Sequence, residues 1–121
     1  MTVLLVALLG GIGAATRFVV DGSVRSRWTR MFPVATLVVN VTGSLLIGLL
    51  TGAHLYHGLG PTWLAVAATG FCGGYTTFST AMVETVRLIQ AGELRRATVN
   101  AVGSLVLCLA AAALGVAVMA L

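Results

Sequence analysis

Gly70-Phe71-Cys72-Gly73-Gly74-Tyr75-Thr76-Thr77-Phe78-Ser79-Thr80 lies within a long apolar stretch, and its eleven residues hold three glycines and four aliphatic hydroxyls. A regular membrane helix gains nothing from such a cluster, because glycine weakens a helix and buried hydroxyls need partners. In lipid, backbone that leaves the helix survives only where protein or a water-lined cavity covers it. The stretch therefore predicts a broken membrane helix built around an ion site.

The rest of the chain agrees. Of 121 residues, 59% are hydrophobic and 8% charged, and the mean hydropathy is +1.06. A soluble domain of this size has too little interior to hide that much apolar surface. Four segments are long enough for a crossing of about 20 residues. They run from about Thr2 to Val20, Pro33 to Ala53, Thr62 to Ile89 and Arg96 to Leu121. The reading is an all-α membrane protein, a single four-helix transmembrane domain over 1–121 with a break in its third span. The connections are short, so function is expected inside the bilayer. No cleavable signal peptide is expected, since the first apolar run lacks a charged leader and continues into Gly10-Gly11-Ile12-Gly13.

Charge supplies an orientation. The net charge of +4 comes from seven arginines with no lysine, scattered at helix ends rather than massed on a face, which argues against nucleic acid as a partner. Arg17, Arg25, Arg27 and Arg30 flank the first connection, and Arg87, Arg95 and Arg96 flank the third. Four spans put these two connections on one side, and the opposite side has neither Lys nor Arg. The positive-inside rule then places the arginine loops in the cytoplasm and both termini outside a cell-membrane, multi-pass protein.

The polar residues within the spans are few. Asn40, Thr42 and Ser44 interrupt the second, Thr76 to Thr80 and Glu84 the third, and Thr98, Asn100 and Ser104 the fourth. Such groups are interhelical glue or a pathway. Hydroxyls and amide N–H groups donate hydrogen bonds, and an aromatic edge such as that of Phe78 is electropositive, so the set suits an anion. A break near Gly73 to Thr76 would also free carbonyls able to hold Na+. Glu84 is expected to pair with Arg87, three residues on, or with an arginine of the other loop. Gly10 and Ala14, Gly48 and Gly52, and Gly70 and Gly74 are spaced for close helix contact, within the subunit or against a second copy. Cys72 and Cys108 lie in apolar segments and predict no disulfide, and His54 and His57 lack the further ligands that a metal needs. No nucleophile–base pair or nucleotide motif is present, so an enzyme is not expected.

Along almost its whole length the chain resembles the Fluc (CrcB) fluoride channels. The stretches that carry the resemblance are Gly10 to Phe18, Thr36 to Ser44, and Gly70 to Thr80 followed by Glu84, the last being the most specific. The resemblance implies antiparallel dimers with two fluoride pores at the subunit interface, passive export of cytoplasmic fluoride, and a structural Na+ at the dimer centre. By motif match, the Na+ carbonyls belong to Gly73 and Thr76. Asn40, Phe78, Ser79, Thr80 and Ser104 match the fluoride pathway, with Arg17 and Glu84 structural or vestibular. One position departs: the second pore phenylalanine should stand at position 81, which here is Ala81. With the one-sided arginines, this favours a heterodimer with an inverted homologous subunit over a homodimer. The alternatives are a non-conducting accessory subunit and a small multidrug-type transporter. The latter needs a carboxylate within the first span, which holds none before Asp21.

Overall fold

A computed structural model describes all 121 residues. It is helical throughout: α1 (Thr2–Arg27), α2 (Val34–His57), α3 (Pro61–Ala65), a π-helical segment (Val66–Cys72), a single turn α4 (Gly73–Tyr75), α5 (Phe78–Gln90) and α6 (Leu94–Met119). By length and composition α1, α2 and α6 can each cross a membrane. The third span is the composite 61–90, two half-spans joined at Thr76 and Thr77 in extended conformation. This is the four-span architecture with the break where the glycines and hydroxyls announced it. Its 30 residues exceed one straight crossing and are divided into two helical parts by the extended joint at Thr76 and Thr77.

Three helix ends lie beyond the expected limits. α1 continues about two turns past Val20, carrying Asp21, Arg25 and Arg27 on a polar extension of the same helix. α2 continues to His57, where Gly58 at φ 73° reverses the chain and Leu59 N–H bonds the Ala53 carbonyl. α6 begins at Leu94, two residues after Gly92 at φ 77°. Polar residues do not end a helix; they end the part that lipid can surround.

Small residues decide how the helices meet. A methyl group on Gly13 would overlap the Phe71 carbonyl, and one on Gly74 would overlap that of Gly10. The first span thus crosses the π segment and α4 with backbones in contact, which side chains at those positions would prevent. A second crossing joins α2 to α6: Gly48 faces the Ala112 carbonyl, and Gly115 faces Leu45, Gly48 and Leu49. The spaced small residues are therefore used within the subunit.

Little else is interior. Only 17 of 121 residues are buried, while Phe18, Trp63, Phe78 and many leucines and valines stand exposed. Faces so apolar suit lipid rather than water.

Candidate functional site

The break is held open by an amide clasp. Asn40, in the second turn of α2, donates from Nδ2 to the Thr77 carbonyl and accepts at Oδ1 from the Thr77 N–H, both at 2.8 Å. In an unbroken helix that N–H would go to the Gly73 carbonyl, four residues back. Its diversion leaves the Gly73 carbonyl without that donor, on exposed backbone. One residue earlier, the Arg17 guanidinium donates to the Thr76 carbonyl at 3.1 Å. The Thr76 hydroxyl turns back to the Cys72 carbonyl at 2.8 Å.

After the break, Thr77 restarts the helix. Its Oγ1 accepts from the Thr80 N–H at 3.2 Å as the N-cap of α5, and its hydroxyl donates to Thr80 Oγ1 at 3.1 Å. On the other side of the break Tyr75 is buried, its ring against Gly43. The Thr42 hydroxyl donates to the Val38 carbonyl at 2.7 Å, so the Tyr75 hydroxyl, 2.8 Å from Thr42 Oγ1, is the donor of that pair.

Two cavities flank α5. The smaller, about 290 Å³, is a groove between α2, the break and α6, lined by Asn40, Ser44, Thr76, Phe78, Ala81 and Ser104, with Met82 beside them. Phe78 is 78% exposed, so its ring stands at the open side of the groove. Asn40, Phe78 and Ser104, read from three different spans, are thus brought together. Ala81 and Met82 both line the groove, and Tyr75 does not.

The larger cavity, about 590 Å³, opens on the opposite side of α5 and at the arginine-bearing end. Ser79 and Thr80 line this one, together with Arg25, Arg30, Glu84 and Arg87. They are not in the groove of Phe78, because one and two residues on, the helix has turned about 100° and 200°. Glu84 accepts from Arg25 Nη2 and from the Thr36 hydroxyl, each at 2.8 Å, while Arg25 Nε also holds Asp21 at 2.7 Å. The partner of Glu84 is therefore an arginine of the first connection, not Arg87. Its second oxygen, Oε2, is buried without a donor.

Thr36 has no role in the reading of the sequence beyond opening the Thr36 to Ser44 stretch, yet it is buried and anchors Glu84. Its signal was a hydroxyl one turn before Asn40, on the same helix face. Asn100, by contrast, is a brace: its Nδ2 donates to Thr85 Oγ1 at 2.8 Å, and Thr85 donates to the Ala81 carbonyl.

A family model described as "CrcB-like protein, Camphor Resistance (CrcB)" matches residues 4–116. The chain belongs to the CrcB family. Among its CrcB relatives, "Fluoride-specific ion channel FluC 1" of Leifsonia xyli subsp. xyli is 52% identical over 115 residues, 95% of this chain and 84% of that one. "Fluoride-specific ion channel FluC 2" of Cutibacterium acnes is 46% identical over 118 residues, 97% and 96% of the two chains. "Fluoride-specific ion channel FluC" of Geobacter metallireducens is 43% identical over 117 residues, 96% and 94%. With three apolar spanning helices and a broken fourth, this CrcB chain is a multi-pass membrane protein.

Proposed function

We propose that this chain is a subunit of a fluoride-selective channel that lets cytoplasmic fluoride leave the cell. The observation that carries the reading is the groove at the break. There Asn40, Ser104 and the exposed Phe78 ring offer donors and an aromatic edge around one narrow space. The names of the relatives support the ion. No covalent chemistry is asked of these residues, so the protein is a conduit and not an enzyme.

Fluoride reaches the cytoplasm as neutral HF and is held there as the anion at the higher internal pH. A membrane potential negative inside drives it out, at about 2.3 kcal/mol per charge per 100 mV. The lining has only to replace part of the hydration of a small anion. Asn40 gives one Nδ2–H and its Oδ1 to Thr77, which keeps the groove open and rigid, and its second Nδ2–H is left as a donor. The ring edge of Phe78 and the Ser104 hydroxyl are left to face the ion.

The groove is open on one side, and a closed path needs a second wall. An inverted, homologous subunit is the wall we infer, because the exposed apolar faces and the exposed break ask for a partner. The backbone fits a Na+ at that contact: the Gly73 carbonyl has lost its helical donor and lies on exposed chain. Gly73 and Thr76 would hold the ion through their carbonyls, Thr76 sharing its oxygen with Arg17. When bound, Na+ would lend positive charge to a centre past which anions move.

A heterodimer is the second part of the proposal, favoured by Ala81. That residue is 6% exposed and its methyl offers no aromatic edge. Fluoride efflux from liposomes, read with an electrode and compared with chloride, tests both parts. Selective flux only when an inverted homologue is added supports the heterodimer, and flux from this chain alone favours a homodimer. No fluoride flux under either condition would sink the channel reading.

A further inference from the structure

Two carbonyls at the break have lost their helical donors, each by a different diversion. The Thr77 N–H, which would serve Gly73 in an unbroken helix, goes to Asn40 Oδ1 at 2.8 Å. The Thr80 N–H, which would serve Thr76, goes to Thr77 Oγ1 at 3.2 Å. The Thr76 oxygen has a substitute, since Arg17 Nη1 donates to it at 3.1 Å from α1. Arg17 follows Gly13 by one turn, and the backbone contacts of Gly10 and Gly13 with Gly74 and Phe71 hold that face of α1 against the break. The guanidinium brings a full charge into the first span, and no carboxylate answers it. Asp21 and Glu84 are both taken by Arg25, at 2.7 and 2.8 Å, and Glu93 is paired with Arg96. No group of three His, Cys, Asp or Glu side chains is placed to hold a metal ion either. The oxygens at the break are therefore neutral carbonyls with an unbalanced positive charge beside them. An intramembrane charge without a counter-ion is costly and marks function.

Neutral carbonyl oxygens are hard ligands that suit Ca2+ as well as Na+, so they do not by themselves select by charge. The Thr76 carbonyl has a second lone pair, open to a cation while Arg17 occupies the first. A cation there is the neighbour of a guanidinium, which keeps its charge at any physiological pH. Repulsion grows with the product of the charges, so it acts twice as strongly on a divalent ion as on a monovalent one. Resting on the Na+ reading above, we propose that Arg17 is the charge filter of the carbonyl site at the break, admitting Na+ and disfavouring divalent cations. It is a specificity residue for the cation and touches no part of the groove of Phe78.

Thermal unfolding tests this without recourse to flux. The protein is purified in choline chloride, with the inverted homologue present where pairing requires it, and NaCl or CaCl2 is added. Native protein should be stabilised saturably by Na+, whereas half-saturation by Ca2+ should need far more ion. Arg17→Gln keeps a donor for the Thr76 carbonyl and removes the charge. In that variant half-saturation should fall about tenfold for Na+ and by the square of that factor, roughly a hundredfold, for Ca2+. Arg17→Lys keeps the charge and should disfavour Ca2+ as the native chain does. Equal factors for the two ions in Arg17→Gln, or Arg17→Lys accepting Ca2+ as readily as the glutamine variant, would overturn the proposal and leave the Na+ site standing. A native protein that Ca2+ stabilises as well as Na+ would overturn it too, even if Arg17→Gln fails to fold. No saturable effect of Na+ on native protein would overturn the Na+ reading itself, and the filter with it.

Discussion

Asn40 and Phe78 line one groove, yet their substitution should fail in different ways. Asn40 makes two hydrogen bonds of 2.8 Å to the backbone of Thr77. Asn40→Ala would leave a part-buried N–H and C=O without partners, a loss of about 1–3 kcal/mol for each group left unsatisfied. Thermal unfolding in detergent should fall clearly and fluoride flux should be lost with it. Phe78 is 78% exposed and supports nothing beneath it. Phe78→Ile should therefore leave the subunit's unfolding temperature nearly unchanged while reducing flux at least tenfold. If both variants lose stability alike, Phe78 is a packing residue and the groove is not a path. The pairing of Asn40 with the break could be guessed from sequence, since a buried amide in lipid demands a partner. The separation of Phe78 from Ser79 and Thr80 could not. The motif match groups Phe78 with Ser79 and Thr80, but once Thr77 starts α5 each following residue turns about 100° away.

The break itself is an element with identifiable supports. Thr77 caps α5 through a 3.2 Å bond from the Thr80 N–H. Thr77→Ala should cost about 1 kcal/mol, and Thr77→Ser should restore most of it. Upstream, the crossing of α1 with the π segment depends on contact between backbones. Gly13→Ala would force a methyl into the Phe71 carbonyl, and over-packing of this kind costs about 1–3 kcal/mol. Gly22→Ala, near the other end of the same helix and with open space around it, should be neutral or stabilising by up to about 1 kcal/mol, since alanine loses less backbone entropy. Chemical denaturation of the two alanine variants in one detergent checks the contrast; equal effects would mean that the crossing is not tight. Glycines and hydroxyls made the break legible in the sequence. The π-helical winding before it was not, because it follows from where α1 presses on Gly70, Phe71 and Gly74, a tertiary contact that no local pattern encodes.

At the scale of the whole molecule the arginines decide how copies can meet. All seven lie toward one end of the four-span unit, and the His57 and Thr62 end has none. A subunit so biased should insert one way. Two copies of a one-way subunit stand parallel, whereas closing the groove with an antiparallel wall needs a neighbour of opposite orientation. The expectation is therefore sharp. Ser26→Cys, exposed at the arginine end, should react with a membrane-impermeant thiol reagent only in inverted vesicles, and Thr62→Cys, exposed at the other end, only in intact cells. Cys72 is buried and Cys108 lies within α6, so the native chain serves as the blank. One-sided labelling of both reporters would require a second, inverted gene product for conduction, and the lone Ala81 would then have a partner able to supply an aromatic edge. Labelling of each reporter from both sides would mean that arginine count does not fix this subunit's orientation. The chain could then pair with itself, and the missing ring at position 81 would be missing from both paths.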